Sequence, residues 1–139
     1  MSDLPIIGDI RKEWEWVQPG IEEIMAGQPQ LTFRPEDVYA DCVNEQATLF
    51  TQKGITGNNF AVTYIEVNKY SGDKILLIWL ARLDQRGNKA GVKLMEFFDQ
   101  VARDCGCAFI EARSPIESLG EHFLKHGWDL DTRIYTRKV

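Results

Sequence analysis

The stretch Ile75-Leu76-Leu77-Ile78-Trp79-Leu80-Ala81 and, after Arg82-Leu83-Asp84, the stretch Gln85-Arg86-Gly87-Asn88-Lys89-Ala90-Gly91-Val92-Lys93-Leu94-Met95 decide how the chain folds. Apolar on both faces, the first reads as a strand in the middle of a sheet, covered on each side. The second is a basic, glycine-containing loop that opens a helix. A helix beginning near Asn88 turns its unpaired amides, and the positive end of its dipole, back toward the end of the strand. A diphosphate placed there gains hydrogen bonds and charge compensation together. Gly87 and Gly91 permit a close backbone approach, and Arg86, Lys89 and Lys93 add positive charge. By itself the loop is equally readable as a solvated corner. It is not a Walker loop, since no Gly-Lys-Ser/Thr follows, and not a dinucleotide fingerprint, since the strand before it belongs to a meander.

Downstream, Gly91, Leu94, Met95, Phe98, Val101, Ala102 and Cys105 make one apolar stripe at helical spacing, with Lys93, Glu96, Gln100 and Arg103 facing outward. Gly106 stops that helix. Ala108 to Ala112 is a short strand, and Ser114-Pro115-Ile116-Glu117 opens another helix with a capping-box pattern, ending at Gly127. Trp128 to Lys138 completes the chain as a strand or hairpin. Upstream, Ala47 to Gln52, Phe60 to Asn68 and Lys74 to Arg82 are three strands joined by turn-forming segments, hence an antiparallel meander. Before them come a helix from Asp9 to Ala26, interrupted at Pro19-Gly20, and a shorter one from Pro35 to Asn44. The order α-α-β-β-β-α-β-α-β implies an α/β (α+β) three-layer fold in a single domain over residues 1–139. A central mixed, mostly antiparallel sheet carries helices on both faces.

The 139 residues suffice for a real core, and 44% apolar with 27% charged residues is ordinary for a globular chain. A net charge of −5 disfavours a general nucleic-acid surface. No apolar run approaches the ~20 residues that span a bilayer, and Met1 to Pro5 lacks the basic start and apolar core of a signal peptide. Cys42, Cys105 and Cys107 form no disulfide framework, which fits a reducing, intracellular setting. His122 and His126 are the two histidines. Without a second cysteine pair to join them, no metal site is expected.

Together the element order and the loop resemble the Gcn5-related N-acetyltransferase (GNAT) superfamily, over most of the chain and most closely from Leu76 onward. Arg86-Gly87-Asn88-Lys89-Ala90-Gly91 lines up with the family's Gln/Arg-x-x-Gly-x-Gly/Ala loop, and Leu94-Met95 with the leucine-like pair after it. Phe123-Leu124-Lys125-His126-Gly127-Trp128 meets the aromatic-x-basic-x-Gly-Phe run that closes the family's last helix. The resemblance implies acetyl-coenzyme A as co-substrate. Its pyrophosphate would lie on Arg86, Gly87, Asn88, Lys89, Ala90 and Gly91, and its pantetheine arm along the backbone of Leu80, Ala81 and Arg82.

Three departures bear on catalysis. Lys89 stands at the family's middle glycine. Phe123 stands where many members have a tyrosine that protonates the departing thiolate, which phenylalanine cannot do. Ile75 to Arg82 contains no carboxylate to deprotonate the amine. Glu66 or Glu111 is a substitute base, and His122 or Tyr135 a substitute acid. Each also has a plain reading: a solvated or arginine-paired strand residue, a helix-surface histidine, a packed aromatic. A looser similarity is to small GNAT-like proteins of tailed bacteriophages, through the tryptophan-rich first helix and the run Asp104 to Glu111 before Gly127-Trp128. Two functions follow as expectations. One is an N-acetyltransferase acting on an unidentified small-molecule or protein amine. The other is a non-catalytic GNAT-fold structural or binding protein, such as a virion component. The matching location is the cytoplasm, or the host cytoplasm or virion for a phage protein. Partners would be the amine acceptor, a second copy in a homodimer, or virion proteins, with no membrane.

Overall fold

The computed structural model describes residues 4–54, 57–83, 90–113, 121 and 123–139. Its elements are β1 (Ile6–Ile7), α1 (Ile10–Ala26), α2 (Pro35–Val43), β2 (Thr48–Lys53), β3 (Asn58–Val67), β4 (Lys74–Arg82), α3 (Ala90–Asp104) and β5 (Cys107–Ala112). The strands pair in the order β1-β2-β3-β4-β5. Neighbours from β1 to β4 are antiparallel, and β5 runs parallel to β4. A parallel neighbour needs a crossover, which α3 supplies. The expected meander is therefore present, with β4 in the interior of a mixed sheet. The two-residue β1, pairing Ile6 with Thr51 and Ile7 with Phe50, lies outside the sequence expectation.

Strand alternation divides the buried side chains between two faces. Leu49, Phe60, Val62 and Leu80 join Val17, Ile21 and Val38 of the first two helices. Phe50, Ala61 and Leu76 join Leu94, Phe98 and Ala102 of α3. Three layers result, with α1 and α2 on one face of the sheet and α3 on the other.

Helix α1 begins where the Asp9 carboxylate accepts a hydrogen bond from the Arg11 backbone N–H at 3.0 Å. Pro19-Gly20 does not break it; the helix runs unbroken to Ala26. Pro19 and Glu15 are both exposed, so water can replace the hydrogen bond that a proline cannot donate to the carbonyl four residues back. Gly20 is buried because a close approach requires it. A Cβ there would lie 2.5 Å from the Phe60 ring and 3.1 Å from Cδ of Arg82. Gly20→Ala gains about 1 kcal/mol of helix propensity but overpacks a buried ring, which costs about 1–3 kcal/mol. A net loss of stability is expected, and a urea midpoint at or above that of the parent chain would contradict it.

Helix α3 buries Leu94, Phe98 and Ala102 at four-residue spacing, as its stripe predicts, and Gly106 closes it at φ +72°. Cys105 departs from the expected stripe and is exposed, because it lies beyond the helix's last residue. The helix expected from Ser114 falls largely outside the described residues. Glu121 and residues 123–125 are helical, and Gly127 turns the chain at φ +87°. The expected closing strand is corrected: from Trp128 to Val139 the backbone is irregular and, except for half-buried Trp128, exposed. Its alternating residues, Leu130 and Asp131 through Tyr135 and Arg137, fix a face only if a neighbouring strand covers it. No described strand pairs with this segment.

Candidate active site

The centre of the site is made by backbone. Pairing of β4 with β5 runs from Lys74↔Cys107 to Ile78↔Ala112, whereas β4 continues four residues further to Arg82. On its other side β4 stays paired with β3 as far as Phe60↔Arg82. Among the described residues β4 therefore runs on past the end of its ladder with β5, and this fork point, Ile78↔Ala112, lies on the side of β4 away from β3.

The same point carries a bulge. Val62 pairs with Leu80 and Thr63 with Ile78, so Trp79 is the extra residue on β4. A bulge inverts the alternation beyond it. Leu76 and Ile78 face α3, but Leu80 turns into the α1/α2 core. Burying the Leu80 side chain (3% exposed) leaves exposed Ala81 as a small residue beside the opening. Arg82 is held by Glu23 of α1 at 2.8 Å, which ties the end of β4 to that helix.

Side chains gather on the α1/α2 face beside the fork. Trp79 takes Phe33 edge-on at 5.0 Å and Tyr64 at 5.6 Å between ring centroids. Arg113, directly after β5, pairs with Glu66 at 3.3 Å and Glu111 at 3.1 Å. The structure thus brings both candidate bases together, on one guanidinium. The three are partly exposed, Arg113 by 58%, so these pairs contribute little to stability and either carboxylate can be released cheaply. Tyr64 belongs to the same group. Burial, and then the charge of Glu66, push its phenol above the ordinary tyrosine range, with Arg113 opposing and Glu111 adding to the rise.

The remaining candidates are dispersed. Arg86, Gly87, Asn88 and Lys89 lie outside the described residues, as does His122. Ala90 and Gly91 form the first turn of α3. Tyr135 is 85% exposed on the irregular tail and joins no cluster. Phe123 packs on Trp128, ring centroids 4.7 Å apart. Trp14 and Trp16 are half-buried against the first core, and so form no exposed aromatic patch with Trp128. Burial first and Asp41 second push the Cys42 thiol up to about 11, which disfavours its thiolate. Two shallow depressions of about 320 and 350 Å³ lie around the start of α1 and the α2 side, not at the fork.

Sequence reasoning missed Tyr64, Trp79, Phe33 and Arg113. For Tyr64 a signal existed: it alternates with Glu66 on one strand, so the two share a face. Also missed was a buried polar pair, in which Asn59 Nδ2 donates to Gln52 Oε1 at 2.7 Å at the end of the sheet where β4 ends.

No protein-family model and no curated protein matches the sequence. Solved structures do match. The ribosomal-protein-alanine N-acetyltransferase of Brucella melitensis biovar Abortus 2308 is similar over 97% of this chain and 99% of its own, at 15% identity and a TM-score of 0.71. An acetyltransferase of Trypanosoma brucei aligns over 97% of this chain and 98% of its own, at 14% identity and a TM-score of 0.68. An aminoglycoside acetyltransferase from an uncultured soil metagenomic sample, solved with sisomicin, aligns over 96% and 95%, at 12% identity and a TM-score of 0.67. Identities this low speak for architecture alone. In architecture, the five-stranded mixed sheet with its parallel β4–β5 pair and flanking helices is the GNAT fold.

Proposed function

We propose that the chain is a GNAT-type N-acetyltransferase that moves an acetyl group from acetyl-coenzyme A to an amine. The observation that carries this reading is the run of β4 past the end of its parallel ladder with β5 at Ile78, with the Trp79 bulge at the same point. An extended pantetheine arm needs a strand to run along, and the stretch of β4 from Leu80 to Arg82, beyond the end of its ladder with β5 and carrying the small, exposed Ala81, would be that strand. The loop from Arg86 to Gly91, leading into α3, would take the diphosphate on amides and positive charge. The acceptor amine would approach over the α1/α2 face, past Phe33 and Trp79 toward Glu66 and Glu111. Attack is direct, and positioning of amine and thioester supplies much of the acceleration.

A second reading rests on the same residues. Glu66 and Glu111 are both engaged with Arg113, and Phe123 is packed on Trp128, which suits a fold kept as a non-catalytic binding module. Calorimetric titration of the purified chain with acetyl-coenzyme A separates the two. Saturable binding is expected. No heat of binding at millimolar cofactor would overturn the enzyme reading and leave the module.

A further inference from the structure

We propose that Tyr64 gives the departing sulfur its proton, the task that phenylalanine at position 123 cannot perform. This rests on the acetyltransferase reading and adds to it a residue of this chain's own. Tyr64 and Glu111 both lie opposite Leu77, from the β3 and the β5 side respectively. Their Cα atoms are thus two strand spacings apart, about 10 Å. The Tyr64 ring touches Trp79 of β4, and its phenol feels the charges of Glu66, Arg113 and Glu111. The ring thus lies against β4 on the face that Glu66, Glu111 and Arg113 share. The β4–β5 ladder ends one pair beyond Leu77, at Ile78↔Ala112, and the acetyltransferase reading places the thioester at that end, on the strand that Tyr64 flanks.

The chemistry balances. The amine nitrogen attacks the thioester carbonyl carbon and the C–N bond forms. The tetrahedral adduct collapses, the C–S bond breaks, and the sulfur leaves with the electron pair. Tyr64 Oη–H passes its proton to that sulfur, and the proton shed by the acetylated nitrogen restores the phenol through solvent. No proton is gained or lost in the cycle. A phenol is protonated at neutral pH, as a donor must be, and burial followed by the charge of Glu66 moves Tyr64 further in that direction. Arg113, already among the same groups, offsets the charge while the phenolate lasts.

The test uses Tyr64→Phe in the full chain, with thiol release from acetyl-coenzyme A measured with glycinamide as acceptor and with water. Turnover is expected to fall about 10²-fold or more, with the calorimetric Kd for acetyl-coenzyme A unchanged. A purely structural role is excluded by a second comparison. Two truncated acetyl thioesters are offered, one of an alkyl thiol and one of a far more acidic aryl thiol. An aryl thiolate leaves without a proton, so the Tyr64→Phe deficit should shrink to within a few-fold on that substrate alone. An equal deficit on both thioesters overturns the inference, and so does unimpaired turnover. It also falls if acetyl-coenzyme A binds but the parent chain releases no thiol. Failure to bind acetyl-coenzyme A at all would instead remove the acetyltransferase reading beneath it.

Discussion

A chain with Phe60 replaced by alanine is expected to lose about 3–5 kcal/mol of folding stability. Phe60 is 1% exposed, meets Trp16 edge-on at 5.8 Å, and lies directly beneath the Gly20 backbone. Removing the ring therefore empties the contact between α1 and the sheet, and a rigid helix crossing cannot collapse fully into the space. Against a total of about 5–15 kcal/mol for a domain, the loss is about a fifth or more. Its effect reaches the site, because Phe60 is paired with Arg82 at the end of β4. The fork edge should therefore open first, and amide exchange at Leu80, Ala81 and Arg82 is expected to quicken before exchange at Leu76 and Leu77. Urea titration gives the first quantity and native-state hydrogen exchange the second. A shift below about 1 kcal/mol, or uniform acceleration along β4, would show that this contact does not organise the strand.

Phe60 illustrates what the chain discloses by itself. Its strand was legible because alternation is a local property: residues two apart share a face whatever lies above them. The stripe Leu94, Phe98, Ala102 was legible for the same reason at helical spacing. Pro19-Gly20 was misread because both residues usually punctuate a helix. Here the glycine serves a packing contact with a ring forty residues away, which no local pattern contains. Trp79 is a second case. A bulge leaves the composition of a strand untouched and shows itself only in the partner's register, so the inversion of Leu80 relative to Ile78 required coordinates.

The site divides along the same line. Glu66 and Glu111 stood out as carboxylates on strands, but strand order decides whether two such residues meet. Parallel pairing of β5 with β4 sets Glu111 opposite Leu77, and antiparallel pairing of β3 sets Glu66 opposite Ile75. Arg113 then reaches both. Trp128 to Lys138 failed in the opposite sense: its residues favour a strand, yet a strand exists only with an edge to pair against. Local preference was present, but no described strand pairs with the segment.

Replacing Gly87 by glutamate tests the phosphate side of the proposal, and acetyl-coenzyme A affinity is expected to fall about a hundredfold. In that proposal the segment preceding α3 would favour a diphosphate through amides, the helix dipole and the charges of Arg86, Lys89 and Lys93. A carboxylate at roughly 5 Å from the diphosphate, at an effective dielectric of about 20, repels each unit of its charge by about 3 kcal/mol. About 2.7 kcal/mol already corresponds to two decades in Kd. Loss of the close backbone approach that glycine allows adds to this. The fold should be spared, because position 87 precedes α3 and the described core residues of that helix are Leu94, Phe98 and Ala102, so the urea midpoint of the variant should match that of the parent. Two readouts separate charge from bulk. Gly87→Gln, of similar size without the charge, should lose distinctly less affinity. Raising ionic strength should narrow the gap between the glutamate and glutamine variants, since screening acts on the charge alone. A glutamate chain that binds acetyl-coenzyme A as tightly as its parent would mean the diphosphate lies elsewhere, and the anion site at the head of α3 would have to be abandoned.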